Sequence, residues 1–146
     1  MKAQDLLKLL TEQIPITNSL EVRVDSADFD KVVLKAPLQP NHNHMGTAFG
    51  GSISMLLILS GYTWLYNRMS DEAPSAHVIL RKSDVGYLAP VDEDMTITCL
   101  APSDKDFQQF AEHFRRKGRA RIELEAIIST SKGVTSKMTG QFVLVS

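Results

Sequence analysis

The chain has 146 residues, 43% of them hydrophobic, with 16 Lys and Arg against 17 Asp and Glu and a formal net charge of −1. That is the size of one domain with enough apolar material for a core, and the balanced charge leaves no field to recruit nucleic acid or an anionic membrane. The single cysteine, Cys99, excludes an intrachain disulfide and fits a reducing compartment, so a cytoplasmic protein is expected. Met1–Leu7 carries no secretory pattern. The longest apolar stretch, Ile53 to Leu65, is interrupted by Ser54, Ser60, Gly61 and Thr63 and is too short to span a bilayer.

No repeats, low-complexity tracts or long linkers divide the sequence, so residues 1–146 are expected to form one domain. Leu6, Leu7, Leu10 and Ile14 share one helical face, which predicts a short amphipathic helix from Asp5 to Ile14, stopped by Pro15. Leu20, Val22 and Val24 alternate with charged residues and predict a half-buried strand, and Val32 to Ala36 returns as a second. A polar loop, Asn41 to Thr47, leads to Gly50-Gly51 and a helix from about Ser52 to Met69. That helix is apolar nearly all round and must be buried on nearly every side. Val78–Leu88 and Asp94–Leu100 read as strands. Phe107, Phe110, Ala111 and Phe114 place a second long helix at Asp104–Lys117, with Gly118 as its stop. Arg119–Ser129 alternates strictly, and Val134–Val145 pairs back after the Ser131-Lys132-Gly133 turn. The expected class is α+β, one antiparallel sheet curled around one apolar helix.

The stretch Asn43-His44-Met45-Gly46-Thr47-Ala48-Phe49-Gly50-Gly51 resembles the loop-to-helix signature of hot-dog thioesterases, with Asn43, Gly46, Thr47, Gly50 and Gly51 at the matching spacings. Gly86-Tyr87-Leu88-Ala89-Pro90-Val91 is similar to the Tyr-x-x-Pro end of the family's third strand. The resemblance covers about Leu20 to Val145 and is strong to the thioesterase-like domain of the YiiD C-terminal type. It implies a hot-dog fold and hydrolysis of a thioester of coenzyme A or acyl carrier protein, with no cofactor beyond the coenzyme A of the substrate. It also implies a homodimer, or a dimer of such dimers.

Paired glycines at a helix start leave bare amide donors at the positive end of the helix dipole, suited to a thioester oxyanion. Gly51 or Ser52 is the expected donor, with Gly50 beside it; tight helix–sheet packing is the competing explanation of the glycines. The resemblance implies that Asn43 holds the nucleophilic water or the thioester carbonyl; an Asx turn is the alternative. Two positions depart from the family. The catalytic carboxylate, seven residues beyond the second glycine, is replaced by Ile58, and the His before the glycines by Phe49. Ser54, one turn nearer Gly51 than Ile58, can orient a water or simply bond to the backbone. Asp84, in an otherwise apolar strand, is a candidate base if buried, or an ion-pair partner of Arg81 or Lys82. His42 and His44 are further candidate bases or solvated loop residues, and nothing nearby completes a metal site with them.

Arg115-Arg116-Lys117-Gly118-Arg119-Ala120-Arg121 forms a basic cluster. It reads either as a helix C-terminus favoured by the dipole or as a clamp on the phosphates of coenzyme A or on acidic carrier protein. The acyl chain is expected along Met55, Ile58, Leu59 and Tyr62 between subunits, where Ile58 and Phe49 make the channel more apolar and point to a fatty or aromatic acyl group; Tyr87 is a further expected substrate contact. Ile58 also supports a second reading, an acyl-thioester binding protein without catalysis. A hydratase, which would resemble this fold but carry an acidic or His residue at the helix start, is a third and finds no such residue here.

Overall fold

The computed structural model describes residues 1–146. Its elements are α1 (Ala3–Gln13), α2 (Ile16–Leu20), β1 (Arg23–Ala27), β2 (Lys31–Ala36), α3 (Gly50–Met69), β3 (His77–Tyr87), β4 (Met95–Leu100), α4 (Asp104–Lys117), β5 (Arg119–Thr130) and β6 (Gly133–Val145). The six strands form one sheet in the order β1-β2-β4-β5-β6-β3, antiparallel throughout. The sheet curls around α3, the hot-dog arrangement expected from the sequence.

The longest pairing in the sheet is the β5–β6 hairpin, from Arg119↔Val145 to Thr130↔Gly133. Its inner row, Ala120, Ile122, Leu124, Ala126 and Ile128, is buried, while Arg119, Arg121, Glu123 and Glu125 face solvent, as strict alternation requires. Leu56, Leu57, Trp64 and Leu65 of α3 share one core with that row, none more than 1% exposed. At Gly61 an added Cβ would lie 2.5 Å from the Phe142 ring, so the missing side chain lets the ring of β6 rest on the helix backbone. Helix α4 closes one side with Phe107, Phe110 and Phe114, Phe107 meeting Trp64 edge to face at 6.0 Å. Ser103 caps it by accepting from the Asp106 amide at 3.1 Å, and Gly118 at φ 70° ends it.

One element departs from the sequence reading. Leu20 does not start a strand: Ile16–Leu20 is a short helix, and β1 begins at Arg23. Pro15 stops α1 but opens α2, because a first-turn residue has no need of its amide hydrogen. Glu21, left-handed at φ 52°, ends α2 and turns the chain into the strand. α3 also starts two residues earlier than expected, on the glycines themselves. No helix is long and apolar enough to cross a membrane.

Candidate active site at the start of the central helix

The loop before α3 is built by the motif residues. The Asn43 side-chain oxygen accepts from the Met45 amide at 2.8 Å and the Thr47 amide at 3.2 Å, and its amide group donates to the Thr47 hydroxyl at 2.9 Å. Gly46 turns the loop at φ 78°. Asn43 is therefore the pivot of an Asx turn, and its side-chain hydrogen bonds all stay within the loop. The loop exit is pinned on both sides: Ala48 donates to the Val91 carbonyl at 2.8 Å and Phe49 to the Asn41 carbonyl at 2.7 Å. The Tyr87–Val91 segment thus sits beside the start of α3.

Phe49 precedes the helix in extended conformation and offers no capping side chain. The first amide of α3 paired within the chain is that of Ile53, which donates to the Phe49 carbonyl at 3.1 Å. The amides of Gly50, Gly51 and Ser52 have no acceptor. Three adjacent donors at the positive end of a 20-residue helix form an anion-stabilising cradle. Two aromatic rings wall it. An added Cβ at Gly51 would fall 2.4 Å from the Phe49 ring, and one at Gly50 would lie 3.6 Å from the Tyr87 ring. The Tyr87 hydroxyl also donates to the Gly50 carbonyl at 3.3 Å. A side chain at Gly51 would displace the Phe49 ring, which is itself 56% exposed. Beside the cradle lies an open depression of about 340 Å³ between Ala48, Ile53, Leu88 and Pro90.

From Gly51 a partly exposed stripe runs up α3 through Ser54, Met55, Ile58, Tyr62 and Tyr66, while its other faces are buried. The stripe contains no ionisable carboxylate or imidazole, and Ile58 occupies the position for which the sequence resemblance implied a carboxylate. Ser54 is its one aliphatic hydroxyl. Ser60 and Thr63, on the buried side, bond to the Leu57 and Leu59 carbonyls at 2.7 Å, but Ser54 bonds to nothing in the chain. Its hydroxyl is therefore free, one turn above the cradle. The sequence reading placed the acyl chain on this stripe but missed its second wall, the α1–α2 elbow. Ile14, Ile16 and Leu20 there line a half-open apolar cavity of about 140 Å³ with Met55, Ile58, Leu59 and Tyr62. The signal was Thr17-Asn18-Ser19-Leu20, too short to show a helical period.

Other sequence-predicted residues do not converge on the cradle. Asp84 is exposed, not buried, and pairs with Lys82 at 3.7 Å. A bulge between Leu80 and Lys82 shifts the register so that Ser83 and Val85 face inward and Asp84 points to the outer face beside Thr139. His42 and His44 are exposed loop residues; the His42 ring bonds the Asn43 carbonyl at 2.8 Å, and no cluster able to hold a metal exists. Arg115 is bound bidentately by Glu72 at 2.8 and 3.0 Å, which holds the Glu72 carboxyl below its ordinary range. Arg119 pairs with Val145, which pairs with His77, whereas the cradle is at Tyr87. Ten strand residues separate those ends, roughly 33 Å at the usual rise. Within one chain, Arg115, Arg116 and Arg119 are thus at the wrong end of the sheet to clamp a ligand at the cradle.

The fold matches known structures. A protein of unknown function from Chlorobaculum tepidum TLS superposes with a TM-score of 0.92 at 29% identity, over 99% of this chain and 94% of that one. A protein described as a "putative thioesterase" from Shewanella oneidensis gives 0.88 at 22% identity, over 99% and 97%. A Pseudomonas aeruginosa protein described as a "Probable Thioesterase" gives 0.84 at 20% identity, over 100% and 97%. No curated protein sequence matches the chain. The model of one family, described as "Putative thioesterase (yiiD_Cterm)", matches residues 3–146, and with the hot-dog fold and the glycine-opened central helix in place, the chain belongs to that family.

Proposed function

We propose that the protein hydrolyses acyl thioesters of coenzyme A or acyl carrier protein at the start of α3. The observation that carries this reading is the row of three unpaired amides, Gly50 to Ser52, at the head of an apolar helical stripe. The thioester carbonyl lies against the amides, which stabilise the oxyanion formed when water attacks; one such donor is worth about 10²–10³ in rate. The free Ser54 hydroxyl orients the water, and Asn43 acts indirectly, by shaping the loop that delivers the glycines. With Ile58 in place of a carboxylate, general-base assistance worth roughly 10²–10⁴ is missing, so turnover is slow.

The working unit in this reading is a homodimer. β3 lies at a sheet edge with 11 residues and an exposed Ile79, which invites pairing with a second copy. Antiparallel pairing of two β3 edges sets the basic Arg116–Arg119 end of one copy beside the cradle of the other, where it faces the carrier's phosphates. Ile58 favours a second reading, a protein that binds acyl thioesters without cleaving them. Thiol release from a series of acyl-CoAs, with thermal shift on the same compounds, separates the two. Slow release that falls at least tenfold in Ser54→Ala supports hydrolysis; stabilisation without release at any chain length supports the binder.

A further inference from the structure

The apolar cavity of about 140 Å³ lies on the same helical face as the amide cradle. Each residue of a helix turns by about 100°, so Gly51, Met55, Ile58 and Tyr62 fall within roughly 60° of one another. The rise of about 1.5 Å per residue puts Ile58 about 10 Å and Tyr62 about 16 Å beyond Gly51. An extended chain advances about 1.2 Å per bond, from about 3.5 Å over the three bonds of a residue, so the cavity lies about nine to thirteen bonds from a carbonyl held at Gly51. The opposite wall belongs to a different part of the chain, Ile14, Ile16 and Leu20 at the α1–α2 elbow. Thr17 is the one polar side chain with neither charge nor ring on that wall; it is 1% exposed and its hydroxyl has no partner.

We infer that this cavity receives the far end of a straight acyl chain and that the α1–α2 elbow measures its length, selecting acyl groups of about ten to fourteen carbons. The inference rests on the thioester reading of the cradle and names its substrate class. An apolar wall of this kind gains about fourfold in affinity per methylene buried, so binding rises steeply with length until the chain has covered the groove and then levels. Met55, one turn from Gly51, lines the groove nearest the cradle; Ile16, 51% exposed, lines its elbow side and is trimmed with little effect on folding.

The test measures both dissociation constants and thiol release for straight-chain acyl-CoAs from four to sixteen carbons, on the full chain and on Met55→Phe and Ile16→Ala. The expected result is tightest binding between about ten and fourteen carbons. Met55→Phe weakens those chains at least tenfold relative to the four-carbon compound, and Ile16→Ala moves the optimum to longer chains. A length profile that is flat, or unmoved in both variants with their thermal unfolding intact, overturns the inference. Absence of thiol release with the predicted binding profile would sink the hydrolytic reading and leave the ruler standing; release with an unmoved profile would do the reverse.

Discussion

Replacing Gly61 by alanine sets two effects of opposite sign against each other. Alanine is favoured over glycine in a helix interior by about 1 kcal/mol. The new Cβ, however, would lie 2.5 and 2.6 Å from two carbons of the Phe142 ring, where about 3.5–4.0 Å is the optimum. The ring must therefore retreat by about 1 Å, and it has nowhere to go: Phe142 is 1% exposed and its neighbours across the sheet are Ile122 and Leu80. Overpacking of this kind costs about 1–3 kcal/mol. The packing term wins, and Gly61→Ala is expected to destabilise by about 1 kcal/mol, lowering Tm by roughly 2–4 °C for a chain of this length. In a Phe142→Leu background the clash disappears and the same substitution is expected to stabilise, by up to about 1 kcal/mol. Thermal and denaturant unfolding followed by circular dichroism give the full double-mutant cycle. If Gly61→Ala stabilised both backgrounds equally, the ring would not rest on the helix, and the placement of α3 on the sheet, with the cradle and stripe it carries, would be wrong.

Three further outcomes test the site and the core. Asp84→Ala should leave thiol release within about twofold of wild type, because its carboxylate faces away from the cradle, whereas Asn43→Ala, which leaves the Met45 and Thr47 amides without their acceptor, should lower release and cost about 1–2 kcal/mol of stability; a large loss in Asp84→Ala alone would reverse these assignments. Ile58→Glu restores a carboxylate one turn beyond Ser54, and release from short-chain acyl-CoA should rise at least tenfold; no gain in a folded variant counts against the stripe as the reaction surface. Cys99 is fully buried and its thiol is pushed up to about 12 by that burial, so a thiol reagent at pH 8 should label it only at the rate of unfolding, and an immediate native-state reaction would contradict the packing of β4.

Much of this molecule was legible in its order of residues, wherever the physical constraint is local and repeated. The alternation of Ala120 to Ile128 with charged neighbours could only be a strand with one buried face, and Phe107, Phe110, Ala111 and Phe114 could only be a helical one. The all-round apolarity of residues 53–65 demanded a helix wrapped by the remaining strands, and Gly50-Gly51 marked its bare end. Tertiary structure decided what depends on partners distant in sequence. Counting by twos from Val78 and Leu80 would turn Asp84 inward; one bulged residue, Arg81, reverses that parity, and a bulge is set by the pairing with β6 rather than by β3 itself. Asn43 has the same composition-level signature whether its amide faces a ligand or its own loop, and the hydrogen bonds to Met45 and Thr47 choose the loop. The basic cluster and the glycines are each plain in the sequence, but the distance between them is fixed by antiparallel register across β5, β6 and β3, which sets them at opposite ends of the sheet. Local periodicity names the elements because each residue's environment repeats along the chain; which side chains meet is set by long-range register, which no local pattern encodes.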